Sequence, residues 1–80
     1  MVETNQDRPL TYGEKAVGLT FNPGGNPEVD KAKRLFAEII DIIGKQELKV
    51  GSLREDIAKK ALTEAIGAQM WAVKLITFKD

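Results

Sequence analysis

The last third of the chain reads as a helix that loses its solvent face. Ser52, Asp56, Lys59, Lys60 and Thr63 mark one polar side of it. Continued by three- and four-residue steps, that side runs into Gly67, Met70, Trp71 and Lys74. The opposite side carries Ile57, Ala61, Ala65, Ala68, Ala72, Leu75 and Ile76. A helix apolar all round is normally buried, and a chain of 80 residues has little else to bury it with. Short domains compensate with disulfides, a metal or oligomerisation. The sequence has no Cys and no His, which removes disulfides and the usual zinc ligand sets. The pattern therefore predicts self-association, with Met70, Trp71 and Lys74 in the interface.

With 42% hydrophobic and 30% charged residues, the chain is foldable rather than disordered, and one domain is the ceiling. Twelve basic residues balance twelve acidic ones. A neutral surface argues against general DNA or RNA binding, which rests on neutralising many phosphates, but leaves room for a local anion pocket. The apolar runs near Ile39 and Met70 are too short and interrupted to span a membrane. The acidic N-terminus does not resemble a signal peptide. An intracellular, soluble protein is expected.

Residues 1–9 are polar and end in Pro9, as a mobile or partner-docked arm would. Within residues 10–21, Val17, Leu19 and Phe21 alternate, a hint of a short extended segment that lacks a sheet partner. The breaker Asn22-Pro-Gly-Gly-Asn-Pro27 doubles as a helix start. Asn26 caps, Pro27 suits the first helical position, and Glu28 and Asp30 complement the dipole. Val29, Ala32, Phe36, Ile39, Ile40 and Ile43 then follow at helical spacing, to an end near residues 44–46. Leu35 and Ile42 widen that apolar stripe sideways and join the predicted interface. After a short linker, Ser52 and Glu55 form a capping-box pattern that starts a second helix at Leu53. It runs to near Phe78, about 36 Å at about 1.5 Å per residue. The expected fold is all-α: an extended N-terminal arm and glycine turn over residues 1–26, and an antiparallel helical hairpin over residues 27–80, built for an oligomeric bundle.

Catalysis is poorly supplied, with no His for acid–base work and no Cys nucleophile. The carboxylates fall on helix faces beside Lys or Arg, as surface pairs do. Asp30, Glu38 and Asp41 lack a ligand-dense loop, so no metal or cofactor is expected. Gly24 and Gly25 before a helix start, with Lys31, Lys33 and Arg34 after it, fit either a plain capped turn or a small-anion site. Phe21 fits either a core side chain or a platform that stacks a base beside those cations.

Three runs add a resemblance. They are Tyr12-Gly-Glu-Lys-Ala-Val-Gly-Leu-Thr-Phe-Asn-Pro-Gly-Gly-Asn26, Val29-Asp-Lys-Ala-Lys33 and Ala65-Ile-Gly-Ala-Gln-Met-Trp-Ala-Val-Lys-Leu-Ile-Thr-Phe78. Together, over residues 10–80, the sequence resembles a phage hairpin-domain family whose members are cyclic-nucleotide sponges that block the CBASS and Thoeris bacterial defences. The resemblance implies a helical hairpin assembling as a dimer to a hexamer in the cytoplasm of the infected bacterial host, without catalysis. It implies that cyclic di- or trinucleotides or glycocyclic ADP-ribose are held between subunits. An aromatic near the first long helix and a lysine on it stack or clamp the ligand in that family, which match Phe21 and Lys33 here. Asn22, Gly24, Asn26, Lys31 and Arg34 complete the implied site. Gly18-Leu-Thr-Phe21 stands where some members carry Gly-Tyr-Arg, and the loop through Pro23-Gly-Gly-Asn26 is longer, which favours a ligand other than the compact cyclic dinucleotides. The competing expectation is a non-enzymatic adaptor that oligomerises and docks on a phage or host protein.

Overall fold

A computed structural model describes residues 8–80, and all regular structure among them is helical. Of the polar arm expected over residues 1–9, residues 1–7 lie outside the described part. Three helices follow in order: α1 (Tyr12–Ala16), α2 (Pro27–Gly44) and α3 (Leu53–Thr77). The chain forms a plate whose Cα trace spans 42 × 37 × 13 Å, with α2 packed against both α1 and α3.

The α1 helix falls where only irregular chain was expected. Thr11 Oγ1 accepts the Glu14 N–H at 3.1 Å, and Glu14 Oε1 accepts the Thr11 N–H at 2.9 Å. Two orphan donors are thereby satisfied reciprocally, which lets a five-residue helix hold. The hint of an extended segment over Val17, Leu19 and Phe21 does not hold. Residues 17–20 form a turn with Gly18 at φ 62°, the left-handed region that suits glycine. Val17 and Leu19 reach the core from either side of that turn, while Phe21 stays outside.

The α2 helix begins as its sequence demands. Asn26 Oδ1 accepts the N–H groups of Glu28 and Val29 at 2.8 and 3.3 Å, and Pro27 opens the first turn. Its inner side contributes Val29, Ala37 and Ile40, the last with no exposed surface. Leu10, Ala16 and Phe36, together with Leu62, Ala65 and Ile66 of α3, close around that core.

Ser52 caps α3 by accepting the Glu55 N–H at 3.1 Å. The other half of the expected capping box is displaced by one residue, since the Glu55 carboxylate takes the Gly51 N–H at 2.9 Å. The helix then runs 25 residues. Its buried side differs from the one read from spacing: Leu62, Ala65, Ile66 and Gln69 face the core, while Ile57 and Leu75 are 59% and 79% exposed. With apolar residues almost all round, spacing alone does not choose the inner face; contact with α2 does.

Candidate functional site

The turn between α1 and α2, with the first turns of α2, carries the predicted ligand-binding residues. Leu19 anchors it in the core, and the Leu19 N–H donates to the Glu14 carbonyl at 3.0 Å. Lys33, on α2 beneath the turn, is only 5% exposed. Its ammonium donates to the Gly18 carbonyl at 2.9 Å and to the Phe21 carbonyl. The Phe21 N–H donates back to the Gly18 carbonyl at 2.9 Å, so both backbone groups of Phe21 are fixed. The Phe21 ring is 71% exposed, with the ammonium 5.5 Å from its centroid. Burial pushes the Lys33 ammonium below the ordinary lysine range, because water that would stabilise the charge is excluded.

The other predicted residues lie along the same turn and the first turns of α2, and differ in what they have to offer. Asn22 Nδ2 donates to the Asn26 carbonyl at 2.9 Å, and the Asn26 side chain is occupied by its capping bonds. Arg34 Nε is paired with Asp30 at 2.8 Å across one helical turn, with both side chains 42% exposed. Lys31 is exposed and has no ion-pair partner among the described residues. Gly24 and Gly25, at φ 84° and 62°, have open space where a β-carbon would point. An exposed ring, an open glycine turn and two accessible cations therefore share one end of α2.

A concavity lies toward the other end of α2. A groove of about 570 Å³ is lined by Thr11 and Tyr12, by Asp41, Ile43, Gly44 and Lys45, and by Leu48, Ala58, Lys59 and Leu62. None of the predicted ligand residues lines it. Gly44 leaves room for the Tyr12 ring, since a β-carbon there would sit 3.3 Å from Tyr12 Cδ2. Asp41, in the lining of the groove, ties α2 to α1 by accepting the Gly13 N–H at 2.7 Å. Neither Tyr12 nor Lys59 is among the ligand residues expected from the sequence, although Tyr12 follows directly on the capping residue of α1.

The chain matches no protein-family model, no curated protein and no solved structure.

The residues expected at an oligomer interface are all exposed. Leu35 and Ile42 lie on the outside of α2, and Met70 and Trp71 on the outside of α3. The Lys74 ammonium sits 5.6 Å from the Trp71 ring and 5.8 Å from the Phe78 ring, covering part of both. Ile57, Ala61, Glu64, Ala68, Trp71, Leu75 and Phe78 recur at alternating four- and three-residue steps, a heptad seam with one polar member. Among the described residues no cluster of three or more metal-ligating side chains occurs, and no helix is long and apolar enough to cross a membrane.

At the edge of α1, Arg8 grips Glu14 through two nitrogens, each 2.8 Å from a carboxylate oxygen. That fork, with the Thr11 N–H, holds the Glu14 carboxyl down at about 2.

Proposed function

We propose that this protein sequesters cyclic oligonucleotide or cyclic ADP-ribose-type immune signals without cleaving them, so that a bacterial anti-phage defence of the CBASS or Thoeris kind never receives its signal. The Phe21 ring carries the reading. A large aromatic side chain is normally buried, yet this one stands in the open on a hydrogen-bonded turn, beside an ammonium group. That is what a base-stacking surface requires, because stacking gains most when the ring is ordered in advance. Lys31 and Arg34 add positive charge to the same end of α2 for a phosphate or pyrophosphate, and Gly24 and Gly25 let backbone approach the ligand. The resemblance over residues 10–80 points the same way.

The unit of assembly in this reading is an antiparallel helical hairpin of α2 and α3, forming a dimer to a hexamer in the host cytoplasm. Leu35, Ile42, Met70, Trp71 and Lys74 lie at its contacts. The exposed heptad seam on α3 supports self-association, since such a seam loses water only against another helix. Sharing each ligand between subunits would link capture to assembly by mass action. The same seam also favours a second reading, an adaptor that docks a phage or host protein through Trp71 and Leu75.

The two readings separate on Phe21→Ala. Calorimetric titration with cyclic di- and trinucleotides and glycocyclic ADP-ribose should show binding by the parent chain and a large loss in the variant, at unchanged oligomer mass. No binding by the parent chain would leave the adaptor reading in front.

A further inference from the structure

The resemblance places Lys33 against the ligand as a clamp, but its ammonium is already committed. Three N–H bonds are available to it. Two go to the carbonyls of Gly18 and Phe21, and the remaining side of the charge faces the Phe21 ring. At 5% exposure, a phosphate oxygen reaches this nitrogen only by displacing the Phe21 carbonyl, which accepts no other hydrogen bond among the described residues, or the Gly18 carbonyl, which keeps only the Phe21 N–H. An unpaired buried carbonyl or ammonium is costly, so that exchange is unfavourable.

We infer that Lys33 is a positioning residue: it locks the turn that presents Phe21 and makes no direct charge contact with the ligand. The turn needs such a lock. Phe21 receives little anchorage from its own ring, and Gly24 and Gly25 just beyond it hold no side chain against the protein. The segment is fixed instead by Leu19 in the core, by the Asn22–Asn26 bond and by the ammonium under Gly18 and Phe21. Of these three, only the ammonium acts on the Phe21 backbone itself. A lysine stem is long enough to cross the first turns of α2 beneath the loop, and its tetrahedral head serves two carbonyls at once.

The inference refines the proposed ligand site, yet its first test needs no ligand. Amide hydrogen exchange in the free protein is compared between the parent chain and Lys33→Met, which keeps the apolar stem and removes the donor. The Phe21 N–H should exchange about tenfold faster or more in Lys33→Met, the loss of a charge-assisted hydrogen bond, while the Ile40 N–H in the core stays protected. Unchanged protection at Phe21 would overturn the positioning role. General loss of protection would call for Lys33→Arg, where restored Phe21 protection upholds the role and its absence rejects it.

The second test titrates cyclic diadenylate and glycocyclic ADP-ribose across ionic strength. Lys33→Met should weaken binding with an unchanged salt dependence. A flattened dependence in Lys33→Met would show direct ligand contact and overturn the inference. Should neither probe bind, the functional reading falls, and the exchange result alone decides the role of Lys33.

Discussion

Gly13 approaches Ala37 so closely that a β-carbon on Gly13 would lie 2.0 Å from the Ala37 carbonyl oxygen. Both sides of this contact are backbone, so no rotamer change relieves it. It brings the start of α1 against the middle of α2 and lets the Gly13 N–H reach Asp41 at 2.7 Å. Gly13→Ala should therefore cost roughly 3 kcal/mol, at the upper end of core overpacking. Urea denaturation checks this. Gly67→Ala is the contrast: nothing lies within 4 Å of its absent β-carbon, and it sits inside a helix. There Ala should stabilise the single chain by about 0.5–1 kcal/mol.

Glu14 gives the chain a sensitivity to acid. Its carboxyl is lowered from 4.5 to about 2, first by the Arg8 hydrogen bonds and then by the Thr11 N–H. A carboxyl lowered on folding stabilises the fold fully above its unfolded value and loses that contribution as pH falls toward the folded one. The stability gap between the parent chain and Glu14→Gln should thus be widest near neutrality. It should close between pH 4.5 and about 2. Denaturation midpoints measured across that window test the assignment, and a gap independent of pH would count against it.

The α3 seam predicts a division between folding and assembly. Trp71 and Leu75 are 70% and 79% exposed within the chain, whereas Ile40 is fully buried. Ile40→Ala should cost about 2–5 kcal/mol of stability. Leu75→Glu should keep the helical circular dichroism and lower the mass measured by light scattering. A Leu75→Glu protein of unchanged mass would place self-association elsewhere, with Leu35 and Ile42 on α2 the next residues to change.

Much of the fold was legible because local chemistry fixed it. Asn26 and Pro27 start α2, and Ser52 starts α3, for reasons contained within four residues of each cap. The Thr11–Glu14 pair carries the same signal as Ser52–Glu55, but Gly13 between them speaks against a helix. Only the close approach to Ala37 explains that glycine, and the approach is a tertiary fact. The inner face of α3 was illegible for a related reason: Ile57 and Leu75 are as apolar as Leu62 and Ile66, and α2 selects between them. At the candidate site, the Lys33 ammonium lies 5.5 Å from the Phe21 ring. What spacing does not reveal is that the lysine is buried, with its charge spent on backbone carbonyls. The groove beside Tyr12 was likewise hidden, because three separated segments line it.

The most direct measurement is calorimetric titration of the purified protein with cyclic di- and trinucleotides and cyclic ADP-ribose isomers, followed by release of the bound compound and its mass analysis. The account predicts tight binding of one of these ligands, lost in Phe21→Ala, with the compound recovered intact. Absence of binding across the set, or recovery of a cleaved product, would contradict it.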